Sequence, residues 1–234
     1  EVKAALTEAD AFSVDRGSVA NLPNAISDLE ITGILNALKA PDEAKTSGTI
    51  VKATLNWTPS EDVLIYGTYS EGFRPGLLNR PGGASNADGY TVPFELMTDE
   101  VTNIEFGWKT DLYDGQLRFN GSAFFAEIEN LQTTIFDPSI ANLFFSDNAA
   151  NAEIIGLEAD FIFAPDSIMG LTLSGGVSLL DSEITEVITP TDDVVKGDSL
   201  AFAPKFQANL QARYEWALSS GFIAHVMPHI AHSD

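Results

Sequence analysis

Cysteine is absent from the 234 residues, so the chain has no disulfide framework and no thiolate metal site. Basic residues are scarce: 12 Lys and Arg stand against 34 Asp and Glu, a formal net charge of -22. Gripping a phosphate backbone takes clustered cations, so this balance argues against a nucleic-acid partner. Long apolar runs are missing too. No stretch approaches the ~20 residues of a membrane helix, and Glu1 opens the chain with neither a basic n-region nor an apolar h-region. A membrane remains open all the same, because a transmembrane strand needs only ~9–11 residues of alternating character.

Alternation is what the chain does have. From Val101 to Glu127 one strand, a tight turn and a second strand are predicted. Thr102, Ile104, Phe106 and Trp108 share one face of the first strand; Asn103, Glu105, Gly107 and Lys109 share the other. Asp114-Gly115 supplies hairpin-turn chemistry, and Leu117, Phe119, Gly121, Ala123 and Phe125 then oppose Gln116, Arg118, Asn120 and Ser122. The same two-residue period returns at 49–57, 63–70, 155–163, 171–179 and 206–216, with a last strand running toward Ile230. The polar faces carry Lys52, Glu105, Lys109, Arg118, Glu158, Asp160, Lys205, Arg213 and Glu215, while the apolar faces carry essentially no charge.

The connections order these strands. Short turns near Pro59, Asp114, Pro165 and Ser219 alternate with long polar stretches at 71–99, 130–151 and 181–203. A meander with short turns at one end and long loops at the other fits an outer-membrane barrel; a soluble sandwich mixes loop lengths. Trp57, Trp108, Tyr113, Tyr214 and Trp216 all fall near the short-turn ends, as an interfacial girdle requires. The expected fold is therefore all-β, an antiparallel up-and-down transmembrane β-barrel, partial, with about eight strands of a larger barrel. Residues 1–48 read as a long extracellular loop with short helical pieces, and 49–234 as the barrel segment.

Tyr66-Gly67-Thr68-Tyr69-Ser70-Glu71-Gly72-Phe73-Arg74-Pro75-Gly76 resembles a signature strand of TonB-dependent outer-membrane receptors. Further matches follow in the order that family shows. Glu100 to Thr110 resembles its E-x-x-x-N-x-E-x-G-x-K strand, and Phe124 to Gln132 its outgoing strand ending in Asn-x-Gln. Gly156-Leu157-Glu158 resembles its G-x-E strand, and Leu200 to Pro204 precedes a strand opening on Pro-Lys-Phe. The resemblance implies a barrel of about 22 strands closed by an N-terminal plug. It also implies a TonB box that couples the plug to the inner-membrane energy-transducing complex. The implied ligands are ferric siderophores, haem, cobalamin or oligosaccharides, imported across a Gram-negative outer membrane. Because no plug or TonB box is recognisable, the chain reads as an internal-to-late piece of such a barrel. Its partners would then be outer-membrane lipid, the plug, the TonB complex and a small-molecule ligand.

Candidate sites are few. Arg74, Asn79 and Arg80 sit where a strand opens into a long connection and are predicted to contact an anionic ligand or the plug. Glu105, Lys109, Arg118, Glu158, Asp160 and Arg213 are predicted to face the lumen. His225, His229 and His232 do not suggest a metal site, since strand residues four apart lie ~13 Å from one another. No cofactor motif and no Ser/His/Asp constellation is present, so no enzyme is expected. A non-energised porin or adhesin-like barrel and a soluble β-sandwich binding module remain as other readings.

Overall fold

The computed structural model describes residues 35–36, 38–79, 82–137, 139–140 and 143–234. Nine strands run in chain order: β1 (Lys52–Ser60), β2 (Val63–Arg74), β3 (Asp99–Leu112), β4 (Leu117–Asp137), β5 (Leu143–Phe163), β6 (Leu171–Val187), β7 (Phe206–Ala217), β8 (Ile223–Val226) and β9 (His229–Ser233). They form one sheet in sequence order from β1 to β8, with β9 also on β7 and the described pairings antiparallel. β8 and β9 are one strand line. Tyr214 faces Val226 and Gln211 faces His229, so the register runs through both. Pro228 makes the break because it has no N–H for the ladder, although its carbonyl still accepts the Ala212 N–H at 3.1 Å. The sheet is a meander of eight strand lines that does not close on itself, as a partial barrel requires.

Turn chemistry sets the short ends. Gly115, Gly170 and Gly221 hold φ of 83°, 82° and 82°, and each closes a short connection. The connection expected across 130–151 turns out to be mostly strand. β4 runs to Asp137 and β5 starts at Leu143, so that only residues 138–142 separate them. The alternation does not stop near 130; it changes sign, and that reversal hides the strands from a reading based on one apolar face. The connection after β2 is also more ordered than a plain loop. Leu78 bridges Glu95, Ser85 bridges Thr91, and Asn86 Oδ1 accepts the Asp88 and Tyr90 N–H groups at the tip.

Contacts divide the chain into two compact units. Among the described residues, one contains those up to 45 together with those in 76–96 and 134–147; the other contains 46–75, 97–133 and 148–234. In the first, Val92, Leu96, Ile135, Ile140 and Phe145 are buried, and Tyr90 packs on Phe145 at 5.9 Å between ring centroids. Of the expected 1–48 loop, Leu35, Asn36, Leu38 and Lys39 are helical, and residues 1–34 lie outside the described ones. The second unit holds most of the sheet. Its apolar face is bare: Leu55 is 78% exposed, Phe106 56% and Ile155 59%. A sandwich would bury that face under a second layer, so the sandwich reading does not describe this sheet.

Candidate functional site

The two faces are defined by register. Thr68 pairs with Glu105, Tyr66 with Gly107, Lys109 with Asn120, and Glu158 with Ser178, which sets the polar side chains in cross-strand rows on one face. Asn120 Nδ2 donates to Asp160 Oδ1 at 3.2 Å and carries the rows from β4 to β5. On the polar side the sheet forms a concavity of about 870 Å³ whose lining includes Tyr66, Lys109, Asn120, Glu158, Asp160 and Gln207.

Each sequence-predicted residue of this face has a defined neighbour or place. Glu105 accepts the Tyr66 hydroxyl at 2.5 Å, and Glu158 accepts the Ser178 hydroxyl at 3.3 Å. Arg118 forms an ion pair with Asp111 at 2.8 Å, and Arg213 one with Glu215 at 2.7 Å. Lys109 and Asp160 both line the concavity. The arrangement is a wall of polar groups bonded to one another, able to meet water or a polar surface, with no paired nucleophile and base. The histidines follow the register as well: His225 faces Glu215, His229 faces Gln211, and His232 faces Ala208 with its ring on Phe206. Among the described residues, no three His, Asp or Glu side chains lie close enough to hold a metal ion.

The glycines of the polar face have a physical explanation. A Cβ at Gly107 would collide with the Tyr66 ring, and one at Gly156 with the Phe124 ring. An aromatic side chain lies across the bare backbone of the next strand in both places. The apolar face repeats the device with Trp108 over Gly121. These are the glycines of the G-x-K and G-x-E motifs, and each is the floor under a neighbouring ring.

Above this region the faces exchange character. On the apolar face, the stretches 117–125, 155–163 and 171–179 give way to Glu127 and Glu129, to Glu153, and to Asp181 and Glu183. On the polar face, Ala126, Ala152 and Ile184 become buried at 9%, 0% and 8% exposure. Glu100 stands directly opposite Glu129, and Glu153 directly opposite Glu183. Like charges so placed repel, and the high dielectric of water weakens that repulsion. These rows therefore belong in water, whereas the apolar stretches below match the ~9–11 residues that carry a strand across a bilayer.

The polar clamp at the start of β3 lies at this level. Arg74 is paired with Asp99, which is 1% exposed: its backbone N–H donates to Asp99 Oδ1 at 3.0 Å, its Nε to Oδ2 at 2.6 Å, and its Nη2 joins the same Oδ2. Arg74 Nη2 also donates to the Gln132 carbonyl at 3.1 Å. Gln132 Nε2 donates to the carbonyls of Pro75 and Met97 at 3.1 and 2.9 Å. Asn148 reads the same backbone: its Oδ1 accepts the Met97 N–H at 2.8 Å, and its Nδ2 donates to the carbonyls of Met97 and Asn130. Asn130 itself is left-handed at φ 55°. The sequence points to Arg74 as a contact residue and to Gln132 as the end of a family motif, but not to the parts that Asp99, Gln132 and Asn148 play in this clamp. The Asn130-x-Gln132 motif was their visible trace, since an Asn tolerates the left-handed backbone and a Gln follows it.

Asn79 belongs to the other unit. It is 8% exposed, its side-chain amide donates to the Ser146 carbonyl at 2.5 Å, and its backbone N–H donates to the Phe94 carbonyl. Arg80 lies outside the described residues. In the same unit Ser139 donates to Asp137 through both its N–H and its hydroxyl, at 2.8 and 2.6 Å. The Ser139 hydroxyl, then its N–H, hold the Asp137 carboxyl below its ordinary value of 3.8.

A family model described as TonB dependent receptor-like, beta-barrel, matches residues 26–226. Among solved structures, the ferric preacinetobactin receptor BauA of Acinetobacter baumannii is similar over 83% of this chain and 26% of its own, at 25% identity and a TM-score of 0.59. The ferric yersiniabactin uptake receptor FyuA of Yersinia pestis aligns over 77% of this chain and 24% of its own, at 14% identity and a TM-score of 0.54. The FrpB iron transporter of Neisseria meningitidis aligns over 79% of this chain and 27% of its own, at 18% identity and 0.54. At those two identities the likeness speaks for the fold. No curated protein sequence matches. The chain spans about a quarter of the length of these solved structures.

Proposed function

From the premise that this chain belongs to the TonB-dependent receptor β-barrel family, a family of transport receptors rather than enzymes, we propose that it forms barrel wall in a receptor that imports a ferric siderophore across a Gram-negative outer membrane. The observation that carries the ligand class is the likeness to the ferric preacinetobactin receptor, at 25% identity over 83% of this chain. In this reading the apolar stretches meet lipid, and the acidic rows stand in water on the outer side. Glu105, Lys109, Arg118, Glu158, Asp160 and Arg213 face the lumen, against water or the plug. The plug and the TonB contact belong to a part of the receptor outside this chain.

Residues 49–234 are the barrel segment and 1–48 an extracellular connection in the same proposal. Arg74 contacts an anionic ligand or the plug with the exposed part of its guanidinium group, which is compatible with its pairing to Asp99 because its side chain is 58% exposed. Arg80 acts likewise from the connection that follows, whereas Asn79, at 8% exposure and with its amide on the Ser146 carbonyl, holds that connection in place. Import is driven by the inner-membrane proton gradient, and plug movement opens the path. The test is uptake of a panel of ferric siderophores carrying radiolabelled iron by cells with the complete receptor. Uptake is expected to stop when TonB is deleted or the proton gradient is collapsed. Uptake that persists in both conditions supports a non-energised porin instead.

A further inference from the structure

The turn between β3 and β4 is strained where an ordinary hairpin is relaxed. Tyr113 and Asp114 both hold left-handed backbone, at φ 56° and 57°, before Gly115 at 83°. Side-chain-bearing residues in that region raise the free energy, and such backbone persists only where its surroundings hold it. The surroundings are the next short turn. The Gln116 carbonyl accepts the Ala164 N–H at 2.8 Å, and Gln116 Oε1 accepts the Asp166 N–H at 3.0 Å. The two turns are thereby fixed side by side, and a recess of about 610 Å³ opens between them.

Tyr113, Leu117, Phe161, Phe163 and Pro165 form most of its lining. Leu117, Phe161 and Phe163 lie on the apolar face, so the recess is continuous with the surface that meets lipid. Its volume falls in the ~300–1,000 Å³ range of small-molecule pockets. An interfacial girdle accounts for separate aromatics at this depth; it does not require two turns to be bonded around a hollow. Charge decides the headgroup. Asp114 and Asp166 are exposed on the two turns, and neither 112–117 nor 161–170 contains a Lys or Arg. A lipid with net negative charge would be repelled here, whereas an ammonium-bearing headgroup brings its own counter-charge to the carboxylates.

We propose that this recess binds one phospholipid of the leaflet nearest the short turns, with an acyl chain against Phe161 and Phe163 and an ammonium headgroup at Asp114 and Asp166. The site rests on the membrane placement proposed above and is separate from ligand import. The test is native mass spectrometry of the complete receptor, purified in mild detergent and offered phosphatidylethanolamine and phosphatidylglycerol in equal amounts. One retained phosphatidylethanolamine is expected. Asp114→Lys with Asp166→Lys is expected to shift the preference toward phosphatidylglycerol by about tenfold, since each basic residue near a lipid surface attracts anionic lipid appreciably. Phe161→Ala with Phe163→Ala is expected to lower retention of both lipids, with folding checked by heat-modifiable migration.

Equal retention of the two lipids by the unsubstituted receptor would overturn the assignment. So would complete displacement by detergent, or a preference that the lysine variant leaves unchanged. Siderophore uptake by the unsubstituted receptor separates this site from the transport reading. Uptake without lipid retention sinks the lipid site alone, and lipid retention without uptake sinks the transport reading alone.

Discussion

At the scale of single residues, the most consequential group is Asp99, a carboxylate with 1% exposure whose charge is met by Arg74. Removing Arg74 leaves that charge buried and short of its partner; Asp99→Asn removes the charge as well. Arg74→Ala is therefore expected to destabilise the receptor by ~2–3 kcal/mol, toward the low end for an orphaned buried charge because Arg74 is itself largely exposed. The double variant Arg74→Ala/Asp99→Asn should lose less than the sum of the singles, as measured by urea unfolding in detergent. Asp137 gives the pH counterpart. Its folded-state pKa lies below 3.8, so the bond to Ser139 contributes fully above the unfolded value and is lost as pH falls through the lower, folded one. Protection of the Ser139 amide from hydrogen exchange should thus be flat above about pH 5 and decline below about pH 4. Asp137→Asn should flatten that decline.

Elements are held together by pairs that cross between strands. The ring of Tyr66 occupies the space above Gly107, so Gly107→Ala forces the ring aside and breaks its 2.5 Å bond to Glu105. A loss of about 1–3 kcal/mol is expected, as for overpacking elsewhere. Tyr66→Ala in the same chain should recover part of it, a coupling that a double-mutant cycle reads directly. The strand lines also show what a sequence pattern conceals. Pro228 divides the last line into β8 and β9 without altering its register, because a missing donor interrupts the ladder while the carbonyl beside it still pairs. β4 is expected to stop near 130 and β5 to begin after 151; β4 runs on to Asp137 and β5 starts at Leu143, and the sequence pattern hides this because the face that is apolar below turns acidic above.

For the molecule as a whole, the sign change along the strands marks the limit of the apolar band. A cation placed inside that band has no water and no partner, whereas one placed in the acidic rows has both. Leu157→Lys is expected to cost roughly 2–4 kcal/mol and to lower the yield of heat-modifiable receptor in the outer-membrane fraction. Glu127→Lys, also on the outward face but opposite Thr102 and past the boundary, should fold and assemble normally. Equal assembly of the two variants would place the boundary elsewhere. No described helix is long and apolar enough to cross a membrane, and that says nothing against crossing by strands.

The sequence by itself determined the strand period, the two faces, the short turns and the ordered motifs of the family, because alternation and turn chemistry are local. It placed Glu105, Lys109, Arg118, Glu158, Asp160 and Arg213 together on one face for the same reason. Only the tertiary structure decided what each of them touches, since Tyr66 reaches Glu105 and Asn120 reaches Asp160 across strands far apart in the chain. It alone disclosed what Asp99, Gln132 and Asn148 hold, since Asp99 pairs with Arg74 on the neighbouring strand while Gln132 and Asn148 both bond the backbone of Met97. The strained turn at Tyr113 and the recess beside it belong there too, because a hollow between two hairpins exists only once both have folded.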